Sequence, residues 1–425
     1  MLPSARAVMC AVVAVAFVVG AVMAAPTCRA VFIAATTNPG NSWSAADCFR
    51  TATSPVYLSG FEHGTVSDQG SGVFNTLYHT AGTITADSAT KRTGSYSLKI
   101  AKASGGDTEA SAWTGNSAPT IVTARFYIRL PSTPTTVTGG LFDLYPTITK
   151  NATLGYNTAT NKLRMGWALS GSSGTGWKDA ASTVALNTWY RIDMRANFAA
   201  SPNTIDWQID GVNQTQSTIV QNADYLDSEG VDIGGDVTND VYTAFYDDVM
   251  VTGSGADYPI GAGGVSAVVL DGMGTSSDPS NRIQNDDGTA WDANSYTRVR
   301  DIPMSAGTDY VKQIATDTSA YLEFTFADSS QTCIQAVEGI VAVTSTTAGA
   351  VSGSTKFYEG GSSRAALASD MSTGGVRSYD SGIITPATGS WTRTKFNGLT
   401  VRVGYATVNT SIPHWDALMV EYAWA

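Results

Sequence analysis

The stretch Leu186 to Val212, LNTWYRIDMRANFAASPNTIDWQIDGV, decides the fold. Tyr190, Ile192 and Met194 fall on one side of an extended chain, and Trp189, Arg191, Asp193 and Arg195 on the other. After a break at Ser201-Pro202-Asn203, Ile205, Trp207 and Ile209 share a face against Asp206, Gln208 and Asp210. Period-two alternation predicts two strands, each with one buried and one wet face. The two strands read as antiparallel with the proline-containing break as their loop, and Asp210-Gly211 supplies the turn after the second.

The same alternation recurs outward from this hairpin. Tyr96, Leu98 and Ile100 alternate with Ser97 and Lys99. Ala124, Phe126, Ile128 and Leu130 alternate with Thr123, Arg125, Tyr127 and Arg129, and Leu163, Met165 and Trp167 with Lys162 and Arg164. Short strands between frequent turn signals predict a sandwich or jelly roll. Gly261-Ala262-Gly263-Gly264 reads as a hinge-like linker. Beyond it, strands are expected over Tyr296–Ile302, Tyr321–Phe326, Ile334–Val343, Leu399–Val408 and Ala417–Tyr422. The fold class is therefore all-β: two β-sandwich (jelly-roll) domains after a cleavable signal peptide. The expected partition is signal peptide 1–25, post-signal segment 26–55, jelly roll 56–257, linker 258–264 and C-terminal β-sandwich 265–425.

The signal peptide is read from Arg6 ahead of an apolar run, Ala11 to Met23, followed by the small residues Ala24 and Ala25. The run is too short to span a bilayer, and no second segment could do so, which leaves an exported or cell-surface protein with no membrane span. Export permits disulfides, and Cys28 and Cys48 could close a short loop. Cys333, in CIQAVEGIVAV, reads as a small buried hydrophobe. The formal net charge is −11, from 25 Lys and Arg against 36 Asp and Glu. Nucleic acid is excluded as a partner on this ground, because phosphate binding needs a basic surface.

Several motifs add resemblances. Gly60-Phe61-Glu62-His63-Gly64 opens the first block. Arg92-Thr93-Gly94-Ser95-Tyr96-Ser97-Leu98-Lys99-Ile100 and Thr188-Trp189-Tyr190-Arg191-Ile192-Asp193 lie within it, and Tyr246-Asp247-Asp248-Val249-Met250-Val251 closes it. Together they resemble laminin-G-like, concanavalin A-like jelly rolls, which implies that the first and last strands are neighbours. Asp309-Tyr310-Val311, Pro386-Ala387-Thr388-Gly389-Ser390-Trp391-Thr392 and Leu399 to Gly404 are similar to the C-terminal β-sandwich of phage virion and tail-associated proteins. The turn is one residue shorter here between Gly389 and Trp391. Thr36 to Ala45, TTNPGNSWSA, resembles the mature start of camelysin and biofilm-matrix fibre proteins, or is a polar linker.

The jelly-roll resemblance also implies a structural calcium where first and last strands meet. Glu62 with Asp247 and Asp248 would supply part of its oxygen shell. The alternative is that these carboxylates bond to backbone or water. Trp177, in SGSSGTGW, reads as an exposed loop tryptophan suited to stacking on a sugar. Trp189 and Arg191, with Arg125 and Arg164, fall on polar strand faces. If those strands adjoin, they line a sheet that would favour acidic glycans. The alternative is that Trp189 packs at a sheet end and the arginines pair with Asp193 and Asp143.

Catalytic patterns are missing. There is no E-x-D-x-x-E strand to hold paired carboxylates of the laminarinase type. There is also no G-x-S-x-G elbow and no glycine-rich phosphate loop. The expectation is a non-enzymatic surface protein whose partner is a polysaccharide or cell-surface glycan. One alternative is a structural or assembly module that self-associates, and a less favoured one is a glycan-active enzyme of unrecognised type.

Overall fold

The structure, a computed structural model, describes residues 55–425 except 67–73, 75, 114–118, 136–139, 148–149, 170–174, 201, 220–229, 236–239, 279, 304–308, 346–351, 371–376 and 409–411. The expected signal peptide, the camelysin-like stretch, Cys28 and Cys48 all lie outside the described residues. Residues Asp47–Ala425 form one compact unit.

Among the described residues, sixteen strands make the first module. They are β1 (Pro55–Ser59), β2 (Thr76–His79), β3 (Gly82–Asp87), β4 (Ser97–Lys102), β5 (Thr108–Trp113), β6 (Ile121–Arg129), β7 (Phe142–Thr147) and β8 (Lys150–Asn157). They continue as β9 (Lys162–Leu169), β10 (Thr175–Asp179), β11 (Trp189–Asn197), β12 (Asn203–Ile209), β13 (Val212–Asn213), β14 (Ser217–Ile219), β15 (Gly230–Gly235) and β16 (Tyr242–Thr252). The second module holds β17 (Gly264–Met273), β18 (Ile283–Asn285), β19 (Val311–Gln313), β20 (Tyr321–Phe326) and β21 (Ile334–Ser345). It ends with β22 (Ser352–Glu359), β23 (Ser362–Asp370), β24 (Arg377–Ile383), β25 (Leu399–Thr407) and β26 (Pro413–Trp424). The all-β reading holds.

The first module is a two-sheet sandwich. A nine-stranded sheet runs β13-β12-β11-β6-β16-β4-β3, with β1 added on β16 and β14 on β12. A seven-stranded sheet runs β10-β9-β8-β7-β15-β5-β2. The predicted hairpin is β11–β12, with Ile192 opposite Ile209, Met194 opposite Trp207 and Ala196 opposite Ile205. At the far end of β12, Asp210 and Gly211 turn the chain into β13 with φ of 51° and 85°, the left-handed pair that a two-residue hairpin turn between twisted strands demands. First and last strands are neighbours, with β1 antiparallel to β16. The sheets close on one core, where Phe126 of one stacks on Phe142 of the other at 3.8 Å between ring centroids. Trp167, Trp207 and Met165 are buried beside them. Each such side chain contributes roughly 1.5–3 kcal/mol through loss of apolar surface to water.

In the second module β18-β19-β26-β17-β20-β25-β22-β23 pair in series, and β21 joins β26 to β24. Leu322, Phe324, Phe357, Val401 and Val403 meet Val337, Val341, Leu418 and Val420 in a second core. One expected strand is absent. Ser295–Arg298 is a short 3-10 helix. Asp292 accepts from the Asn294 backbone N–H at 2.8 Å, and its own N–H donates to Ser295 Oγ at 2.8 Å. These local side-chain bonds offer the backbone an alternative to a ladder.

β26 is buried on both faces, so it reads as a near-continuous apolar run. Leu418, Val420 and Tyr422 enter the second core. Ala417 and Met419, with Ile340 and Ala342 of β21, join the core of the first module instead. A third cluster, Leu58, Met250, Ile260, Val265, Ala336 and Ala423, fills the seam between the modules. The glycine linker is pinned in that seam and does not hang as a hinge. The Gly261 N–H donates to Asp193 at 2.8 Å, and a Cβ on Gly263 would lie 2.0 Å from the Trp424 carbonyl oxygen. Cys333 is disulfide-bonded, which corrects its reading as an unpaired hydrophobe; its partner lies outside the described residues. Among the described residues no helix is long and apolar enough to cross a membrane.

Candidate functional site

The residues singled out in the sequence divide between two places. Arg164 and Trp177 lie on the seven-stranded sheet. Arg125, Trp189, Arg191, Glu62, Asp247 and Asp248 lie on or beside the nine-stranded one.

On the seven-stranded sheet, Leu163, Met165 and Trp167 of β9 and Ala152, Leu154 and Tyr156 of β8 enter the core. Strand alternation therefore turns Arg164, Thr153 and Gly155 to the outer face. Trp177 is on strand β10, not on a free loop. The Arg164 guanidinium lies 4.2 Å from the Trp177 ring centroid, and both side chains are half-buried. Gly155 makes this arrangement fit, since a Cβ there would stand 3.1 Å from the Trp177 ring and 3.4 Å from Arg164 Nε. Burial lowers the Arg164 pKa, while Asp179 and Asp240 act in the opposite sense. Asp179 is the register partner of Arg164 and accepts from Asn157 Nδ2 at 2.8 Å. Further along the face, Asp143 of β7 stands directly opposite Asp232 of β15, flanked in register by Thr153 and Ser111. Both carboxylates are buried, at 3% and 6% exposure. No short motif in the sequence marks this pair, because its members are brought together only by strand order.

On the nine-stranded sheet β6 and β11 do adjoin, and Arg125 faces Asp193 in register. The face is not open there. Arg125 and Asp193 are fully buried and Arg191 nearly so, and the linker lies against the first two, with the Gly261 N–H on Asp193 and Gly263 beside the Arg125 guanidinium. The Arg191 Nε donates to Asp193 at 2.8 Å. Burial lowers the Arg125 pKa, against the pull of Asp248. In this arrangement Arg125 is out of reach of a saccharide. Trp189, half-buried at the end of β11, stands beside Arg129, whose guanidinium lies 5.7 Å from the Phe245 ring centroid.

Glu62, Asp247 and Asp248 meet in the seam. Asp247 accepts from the Arg92 and Thr93 backbone N–H groups at 2.7 and 3.3 Å. Asp248 takes the Arg92 guanidinium, the Thr93 hydroxyl and the Val265 N–H. A β-bulge at Asp247–Met250 and a left-handed φ of 55° at Asp248 aim these carboxylates. Glu62 accepts from the Ser95 N–H at 2.7 Å, and its other oxygen has no hydrogen-bond partner. Burial, then Glu421, push the Glu62 pKa up to about 8. Burial, then Asp248, raise Asp247 as well. Glu421 of β26 reaches across to accept from the Gly60 and Glu62 N–H groups at 2.9 and 2.8 Å. Among the described residues no group of three His, Cys, Asp or Glu is disposed to hold a metal ion. The donors around Asp247 and Asp248, with Arg92 among them, stand where a calcium ion would compete.

No protein-family description matches the chain, and no curated protein matches it. Solved structures similar to it include domain 4 of AbnA, an extracellular GH43 arabinanase from Geobacillus stearothermophilus in complex with arabinotriose. The identity is 13%, the coverage 48% of this chain and 93% of that one, and the TM-score 0.30. An endo-1,3-β-glucanase from Streptomyces sioyaensis matches at 13% identity over 50% of this chain and 99% of that one, with a TM-score of 0.28. The tandem CBM22 domains of Paenibacillus barcinonensis Xyn10C match at 10% identity over 89% and 99%, with a TM-score of 0.25. Likeness at this level does not assign the chain to a family.

Proposed function

We propose that this is an exported, cell-surface or extracellular protein whose first module binds polysaccharide, without cleaving it, on the outer face of its seven-stranded sheet. The observation that carries the reading is the Arg164 guanidinium placed over the Trp177 ring, with the ring packed against Gly155. A half-buried indole offers a ring face and edge to a sugar, and the guanidinium offers planar donors to hydroxyls or a carboxylate. The cystine at Cys333 supports an oxidising compartment. Asp143 and Asp232 form a carboxylate pair on adjacent strands, yet their burial closes them to a substrate in this arrangement, which favours binding over hydrolysis.

A glycan array with the whole protein, followed by affinity electrophoresis, tests this. Trp177→Ala should weaken retention about tenfold, the worth of one stacking aromatic. Undiminished retention, or no glycan bound by the parent protein, would leave the structural-module reading in its place. That reading draws on the seam, where apolar side chains of the two sandwiches pack against each other. Release of reducing ends from a bound polysaccharide would instead point to Asp143 and Asp232 as a catalytic pair, one the acid and the other the base or nucleophile.

A further inference from the structure

The second module carries an aromatic and cationic patch on the outer face of β20, β22 and β25. On β20, β22 and β25, the residues Leu322, Phe324, Phe357, Val401 and Val403 enter the core. Their alternates turn outward, and among these Tyr321, Lys356, Tyr358 and Arg402 are half-buried. Glu323 and Lys356 flank Arg402 in register on either side. Arg402 bonds to Glu323 and lies 4.5 Å from the Tyr321 ring centroid and 4.0 Å from that of Tyr358. Tyr405 completes the group. It stacks on Tyr321 at 5.4 Å with 18° between ring planes, and the Lys356 ammonium stands 3.7 Å from its centroid.

Tyr405 reaches this position at a conformational cost. Among the described residues, non-glycine residues with positive φ are Asn or Asp at five positions, with Phe61 and Tyr405 as the bulky exceptions. Asn and Asp tolerate the left-handed region, whereas a bulky residue there is strained. Phe61 is enclosed in the core and stacked near Phe74, so packing offsets its strain. Tyr405, with φ of 53°, is half-buried on an outer face and has no such enclosure. The strain comes from a bulge between Ser352 and Ser354 on the β22 side, where Gly404 takes φ of 133°. A Cβ at 404 would lie 2.5 Å from the Ala320 carbonyl oxygen. The bulge turns the Tyr405 ring out onto Tyr321. Strained residues and bulges gather where a side chain must be aimed at a ligand.

We infer that Tyr321, Tyr358 and Tyr405, with Lys356 and Arg402, form a second saccharide site, selective for acidic sugars such as uronates. The tyrosines supply ring surface and phenol hydroxyls on a shallow sheet face, the geometry that suits a flat, hydroxylated ligand. Lys356 and Arg402 bring two cations to this face of a chain of net charge −11, and Arg402 is paired with Glu323. Among the described residues Lys356 has no carboxylate salt bridge, and it is the cation placed to meet a ligand carboxylate. Burial, then a hydrogen bond with Tyr358, raise the Tyr405 pKa, so the phenol is a neutral donor at ordinary pH.

The site is independent of the Trp177 face and is tested apart from it. The whole protein and the Tyr405→Gly, Lys356→Ala and Trp177→Ala variants are titrated with polygalacturonate and with a neutral glucan. Glycine accepts the left-handed backbone, so Tyr405→Gly removes the ring while relieving strain. The expected result is a loss of polygalacturonate affinity of about fivefold or more in both Tyr405→Gly and Lys356→Ala. Tyr405→Gly should melt no lower than the parent, and salt should weaken parental binding. Unchanged polygalacturonate binding in Tyr405→Gly and Lys356→Ala overturns the site, and so does a parent that binds no polygalacturonate. A loss confined to Trp177→Ala also overturns it while leaving the first-module reading intact. Should Tyr405→Gly fail to fold, the ring is structural and Lys356→Ala alone decides.

Discussion

The two outer faces of the first sandwich have opposite fates. Both are built from polar alternates on strands whose other residues fill one core. On the nine-stranded sheet, Arg125, Arg191, Asp193 and Asp247 are buried, with the linker lying against Arg125 and Asp193. On the seven-stranded sheet, Arg164 and Trp177 remain half-buried and stacked on each other. Alternation shows that a residue leaves the core; it does not show what covers it afterwards. A charged residue on a strand's polar face is therefore equally compatible with a ligand site and with a seam between modules. Only what lies over it in the fold tells them apart.

The sharpest way to break this contrast is a substitution in the seam. Asp248→Ala strips three donors of their acceptor and leaves Arg92 without its carboxylate. It should cost roughly 3–5 kcal/mol, as breaking a buried ion pair does, read as a fall in the denaturant midpoint. A loss of a few tenths would mean that the seam contributes little and the modules hold together by apolar packing alone. On the other face the pattern should invert. Trp177→Ala should leave the midpoint within about 1 kcal/mol, since a half-buried ring loses only part of its transfer energy, while retention on glycan falls.

A smaller effect comes with pH. Glu62 sits near 4.5 when unfolded and is pushed up to about 8 in the fold, chiefly by burial and by Glu421. Between those values the folded state holds a proton that the unfolded chain has released. Stability from this group is therefore present at low pH and lost as pH rises toward 8. Asp247 and Glu338 are raised by burial and by neighbouring carboxylates, and Asp380 is raised to about 6 by burial; all act in the same sense. Their neighbours in the seam include Asp248, Glu421, His63, Tyr57 and Arg92. His414, held down to about 4 mainly by burial, opposes them only below about pH 6.5. Melting should thus move to lower temperature from pH 6.5 to pH 8, by at most about 1.4 kcal/mol per pH unit for each proton involved. A flat profile would show that water reaches these carboxylates.

The smallest expected effect is that of calcium. Among the Glu62, Asp247 and Asp248 oxygens, Glu62 Oε1 is without a donor, and an ion must displace Arg92 to reach Asp248. Any rise in melting temperature over chelator should therefore be slight. A large rise would show that the three carboxylates regroup around the ion, as the jelly-roll resemblance implies.

Much of the fold was legible because alternation and turn chemistry are local. β11 and β12 follow from Tyr190, Ile192, Trp207 and the Asp210-Gly211 turn, and β20 is read to its end residues. Residues 296–302 misled because their side chains bond locally around Asp292 and Ser295. The candidate site was legible only in part. Trp177 and Arg164 stand out by type, but their partners Gly155 and Asp179 are chosen by register across β8, β9 and β10. Arg125 and Arg191 had the right residue type on a face that proves covered. Tyr405 carried no signal, because a bulge and not the strand period decides where its ring points.

One backbone contact bears on how this chain comes together in time. The Gly60 N–H waits for a carboxylate 361 residues further along the sequence. Closing so long a loop carries an entropic penalty that grows with the logarithm of its length, and contacts of this kind slow folding. Until β26 arrives, Leu58 and Met250 lack part of the apolar wall that later encloses them, and the Gly60 and Glu62 N–H groups have only water. The first sandwich is thus a unit that precedes its own completion, and its β1 edge should be the last place to gain protection from hydrogen exchange.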